Sequence, residues 1–159
     1  MKGICYQSLS ILLIFAMLLL LGACRADVVM GASIQGESYT GFPGVSIEIE
    51  EIDPDKGTVR IRWKNETDYE AMYGSSFDIQ RLQDGKWVSC MTEGNWAFTA
   101  IGYSLQSGQE REQSHSVKEM FDLSKEGQYR FKTDCYVYLT EEESQSCELW
   151  AEFTLSTTK

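Results

Sequence analysis

Three cysteines and a histidine are the residues of this chain with the most chemistry available to them. Cys90, Cys135, Cys147 and the sole His115 are a donor set that zinc accepts. Structural zinc sites draw their ligands from short paired spacings, and no C-x₂₋₄-C pair occurs here. A Cys90–His115 nucleophile pair would need a third group to orient the base, and nothing in the sequence marks one. His115 lies in Gln113-Ser114-His115-Ser116 without a G-x-S-x-G elbow, so it reads as a solvated residue of an edge strand. Asp53-Pro54-Asp55 offers carboxylates to a calcium ion but reads more simply as a turn. No Gly-rich phosphate loop follows a strand. The expectation is therefore no catalytic residue, no metal and no cofactor. The three cysteines allow one disulfide plus a free thiol, in three pairings, or three reduced thiols.

The four tryptophans are the other candidates. Trp63 and Trp87 sit at strand positions that suit core packing. Trp96 and Trp150 are left as binding candidates, because an exposed Trp beside a Tyr makes a stacking platform for a sugar. Asn65-Glu66-Thr67 has the form of a eukaryotic glycosylation sequon, which has no meaning behind the leader described next.

Lys2 is followed by an uncharged stretch over residues 9–23, LSILLIFAMLLLLGA. It is short for a spanning helix and suits the apolar region of a signal peptide. Leu21-Gly22-Ala23-Cys24 then matches a bacterial lipobox. Small residues let a peptidase approach the backbone, and the Cys24 thiol takes the diacylglycerol. Residues 1–23 are thus expected to be a lipoprotein signal peptide. Cys24 is the expected lipidation site, and two acyl chains make a stable anchor on the extracytoplasmic face of the membrane. Residues 24–42 contain Gly31, Ala32, Ser33, Gly36 and Ser38 with little periodicity and read as a lipidated, flexible tether; a first strand at Val28–Met30 is the alternative.

The full chain has 159 residues and a net charge of −10. Without residues 1–23 it has 136 residues and a net charge of −11. That is enough chain for a real core and the wrong sign for nucleic acid. From Val45 the pattern alternates. Val45, Ile47 and Ile49 oppose Ser46, Glu48 and Glu50; Val59, Ile61 and Trp63 oppose Arg60, Arg62 and Lys64. These read as an antiparallel pair with one wet face, where acids and bases meet across the strands. Strand patterns follow at Phe77–Leu82, closed by Asp84-Gly85, then at Lys86–Met91, Trp96–Leu105, Gln109–Val117 (an edge), Tyr129–Leu139 and Cys147–Leu155. Val117–Leu123 alone suits a helical turn. The expected fold is an all-β, immunoglobulin-like antiparallel β-sandwich of about seven strands over residues 43–159. Leu123, Gly127 and Tyr129 sharpen it, since an E–F corner plugs the core with an apolar residue and opens strand F with a Tyr whose hydroxyl bonds back to the chain.

Trp63-Lys64-Asn65-Glu66-Thr67, Tyr73-Gly74, the run from Phe77 to Trp87, Ala97 to Tyr103 and Ala151 to Leu155 resemble the bacterial Ig-like domain found on lipoproteins and membrane-anchored proteins of clostridia and related Firmicutes. The resemblance covers about Val45 to Leu155 and implies a β-sandwich at the cell surface with no activity. In an Ig-type sheet ordered G-F-C-C′, Cys135 and Cys147 fall on the neighbouring strands F and G, so this is the favoured disulfide. The expected function is non-enzymatic: a lipid-anchored surface domain that binds or presents to an envelope protein, with envelope glycan as the alternative ligand.

Overall fold

The structure, a computed structural model, describes residues 29–158. The expected signal peptide and the expected lipidation site, Cys24, lie outside the described residues. Ten strands are present and, among the described residues, no helix. They are β1 (Val29–Ser33), β2 (Ser38–Thr40), β3 (Val45–Asp53), β4 (Thr58–Asn65), β5 (Glu70–Gln83), β6 (Lys86–Ser89), β7 (Tyr103–Leu105), β8 (Glu110–Ser116), β9 (Gly127–Tyr138) and β10 (Ser144–Thr158).

Two antiparallel sheets form. The larger runs β1-β10-β9-β5-β6, with β2 also on β10 and β7 also on β5; the smaller runs β3-β4-β8. Residues of alternate parity meet between them. Trp63, Tyr73, Tyr129, Phe131, Phe153 and Phe121 are among the largest fully buried side chains. Trp63 of β4 stacks on Tyr73 of β5 with ring centroids 3.8 Å apart, which locks one sheet to the other.

On the outer face of the small sheet the acids and bases pair as their spacing predicts. Glu48 meets Lys64 at 2.7 Å, Glu50 meets Arg62 at 2.8 Å and Glu51 meets Arg60 at 2.8 Å. A bulge between Ile49 and Glu51 keeps both Glu50 and Glu51 outside while Ile49 and Ile52 stay buried. The corner forms too: the Tyr129 hydroxyl donates to the Lys125 carbonyl at 2.5 Å. The β5–β6 turn places Asp84 and Gly85 at φ 50° and 75°, as a two-residue hairpin turn requires.

Two expectations are corrected. Residues 24–42 are not a tether throughout: β1 and β2 both pair with β10. Their sequence is too small and polar to show a period, yet the backbone of β10 offers an edge that any strand can satisfy. Gly36 permits the approach, since a Cβ there would lie 2.5 Å from that of Glu152. Second, Trp96–Leu105 is a strand only at Tyr103–Leu105; residues 92–102 form an irregular crossing between β6 and β7, which pair with different stretches of β5. Val117–Leu123 does form the single turn expected of it, with Phe121 N–H on the Val117 carbonyl at 2.9 Å, and it goes no further into a helix.

Candidate functional site

The reactive residues are dispersed in structural roles. Cys135 and Cys147 face each other in the β9–β10 register, with Cα atoms 5.3 Å apart, and are joined as a disulfide. Cys90 is a free thiol at the end of β6, half-buried, and burial pushes its pKa up, away from thiolate reactivity. It lines an open cleft of ≈ 400 Å³ with Arg81, Asp122, Lys125 and Tyr129. Asp53 accepts the Lys56 N–H at 2.9 Å and pairs with its ammonium at 2.7 Å, so its oxygens serve the turn. Asn65 is buried and anchors a loop: its amide donates to the Tyr69 and Leu105 carbonyls, and its oxygen accepts from the Thr67 hydroxyl and N–H.

His115 corrects its expectation. It lies on an edge strand, but it faces inward, 4.5 Å from the Phe77 ring and 5.3 Å from the Phe131 ring. Burial lowers its pKa to about 4, because a charged imidazole among phenyl rings would lose its hydration. The clue was parity: His115 shares a face with Val117, which is buried. No group of three or more His, Cys, Asp or Glu side chains comes together in metal-binding range among the described residues.

The two tryptophan candidates do not share a site. Trp96 sits in the 92–102 crossing with its Nε1–H on the Thr92 carbonyl at 3.0 Å. Trp150 stands on the outer face of the large sheet, at the centre of a row that crosses it. Tyr39 of β2 stacks on Trp150 at 5.6 Å and 16°. On the other side of β10, the Arg130 guanidinium of β9 lies over Trp150 at 5.4 Å and over Trp87 of β6 at 4.8 Å. Arg130 is aimed by its Nε–H bond to Gln80 Oε1 at 2.8 Å, and next to it Lys132 pairs with Glu148 at 2.7 Å.

This row was missed in the sequence. Trp87 is not a core residue but half-buried on the outer face, beside Leu82. Tyr39 falls in the segment taken for a tether, and Arg130 carries no motif. Parity again held the signal: Trp87, Arg130 and Trp150 each sit on the outer parity of their strands. The face can do no bond chemistry. It can bury aromatic area around a fixed cation, which is how recognition surfaces are built.

Comparison with known proteins agrees with this architecture. A family described as bacterial Ig-like domain matches residues 41–154. No curated protein and no solved structure matches the chain.

Proposed function

The chain belongs to the bacterial Ig-like domain family, and from that premise we propose that it is a non-catalytic binding module whose large-sheet face takes an envelope protein. Domains of this family are generally non-catalytic and suggest surface or binding roles. In this reading Cys24 carries the diacylglycerol, and the domain is held at the extracytoplasmic face of the bacterial membrane.

The observation that supports a protein ligand is how the aromatic row is packed. A sugar platform needs a ring face open to solvent. Here Trp150 has Tyr39 on one side and Arg130 on the other, and Trp87 carries the same guanidinium. One face of Trp87 and the faces of Trp150 toward Tyr39 and Arg130 are therefore taken within the row. Trp, Tyr and Arg together are also the residues that dominate protein–protein hot spots. The glycan alternative retains two observations, the 49% exposure of Tyr39 at the end of the row and the 36% exposure of Trp96 in the 92–102 crossing.

The test is crosslinking on intact cells with the native protein and with Trp150→Ala and Trp87→Ala, followed by mass spectrometry. One envelope protein captured by the native chain and lost with both variants supports the reading. Equal capture by all three contradicts it, as does recovery of wall glycan alone.

A further inference from the structure

The two ends of the sandwich differ in charge and in their distance from the chain entry. β1 begins at Val29, paired with Thr158 at the end of β10. The turn after β3, the β5–β6 hairpin and the E–F corner lie at this same end, as the registers of β1, β9, β5 and β6 require and as the cleft shared by Met30, Pro54 and Ser124 bears out. The opposite end holds the β4–β5 and β9–β10 loops.

Four exposed lysines sit at the entry end: Lys86, Lys118, Lys125 and Lys56, the last paired with Asp53 in its own turn. The other two lysines among the described residues, Lys64 and Lys132, lie within the sheets and are paired with Glu48 and Glu148. The entry end is mixed in sign, because Asp53, Asp55, Asp84, Glu119, Asp122 and Glu126 are interleaved with its lysines. The far loops are not mixed: Glu66, Asp68, Glu141, Glu142 and Glu143 are exposed, with no lysine or arginine among the loop residues 66–69 and 139–143.

We infer that the entry end rests on the phospholipid headgroups, lysines toward the lipid, with the acidic loops pointing away. The inference builds on the proposed lipidation of Cys24. Five chain steps separate Cys24 from Val29, a reach of at most ~17 Å. An anionic bilayer repels the wholly acidic pole more than the mixed, lysine-bearing one, and the effect acts within about a Debye length of the surface. The short reach therefore keeps the lysines inside the range where their sign matters. One consequence deepens the functional reading. Trp150 lies eight residues above Thr158, about 26 Å along the strand, so the partner of the aromatic face is a protein close to the membrane.

The mature lipidated protein, reconstituted in vesicles of phosphatidylglycerol and phosphatidylcholine, is treated with a membrane-impermeant amine-acylating reagent. Lysine modification is read by mass spectrometry against the same protein in detergent. Several-fold slower acylation of Lys56, Lys86, Lys118 and Lys125 in vesicles, with Lys64 and Lys132 unchanged, is the expected result. Flotation with the vesicles but uniform lysine reactivity overturns the orientation alone. Failure to float, with an N-terminal peptide that lacks diacylglycerol, overturns the anchor and this inference with it.

Discussion

The outer faces of the two sheets meet the same solvent with opposite solutions. On β3-β4-β8 Glu48, Glu50 and Glu51 of β3 each have a base from β4 within reach, Asp53 pairs with Lys56 in the turn, and Glu112 of β8 joins Arg62 at 3.7 Å. On the large sheet the central cation, Arg130, lies against two indoles rather than a carboxylate. The ladder is a complete wet surface that fixes register and leaves no apolar area waiting for cover. The aromatic row leaves half-buried rings at a surface, where further burial would be favourable. Both faces rest on one core, which makes the contrast testable.

The core comes first, because losing it takes both faces together. Trp63→Ala removes the ring that joins the sheets and is expected to cost about 3–5 kcal/mol, read by urea unfolding. A loss under about 1 kcal/mol would mean that Trp63 does not hold the sheets together.

Acid should act through the small sheet. The folded chain holds His115 neutral down to about pH 4, while the unfolded chain takes up the proton near 6.5. Stability is then complete above pH 6.5, falls as the pH drops through this window, and is lost by up to about 3 kcal/mol below it. Denaturant midpoints at pH 7 and 4.5 should converge for His115→Leu relative to the native chain. An equally steep pH dependence in the variant would contradict the inward placement of His115.

The disulfide acts on the other sheet. It clamps β9 to β10, the strands that carry Arg130 and Trp150. Replacing both Cys135 and Cys147 by Ala should lower stability by about 2–3 kcal/mol. Thermal melts with and without reductant should then differ for the native chain and coincide for the variant.

The smallest effects compare the faces directly. Arg130→Ala should cost about 1 kcal/mol through two cation–π contacts, and little of that should disappear in high salt. Arg62→Ala should cost less than about 1 kcal/mol, and salt should erase the difference. Matching salt dependence in the two variants would erase the contrast.

What could be read from the sequence follows from where a residue's type and its strand parity agree. Val45, Ile47, Val59 and Ile61 alternate against charges, so the first hairpin and its ion pairs were legible. Tyr129 was legible because a corner needs a Leu, a Gly and a Tyr in close succession. β1 and β2 were not, because Gly31, Ala32 and Ser38 pair through backbone alone. The 92–102 crossing misled, since Trp96 and Phe98 have strand propensity but no free edge to join. The aromatic row was hidden for a different reason. Trp87 and Trp150 sit at outward positions that solvent normally gives to polar residues, and Tyr39 reaches Trp150 only through β2. A rule that places aromatics inside therefore fails at the outer face of the large sheet.

The most direct test of that face is a photo-crosslinking amino acid placed at Tyr39 and, separately, at Glu112 on the opposite sheet, in intact cells. The account predicts that position 39 captures one defined membrane-proximal protein and that position 112 captures nothing above background. Equal capture at both positions, or capture only at 112, would contradict it.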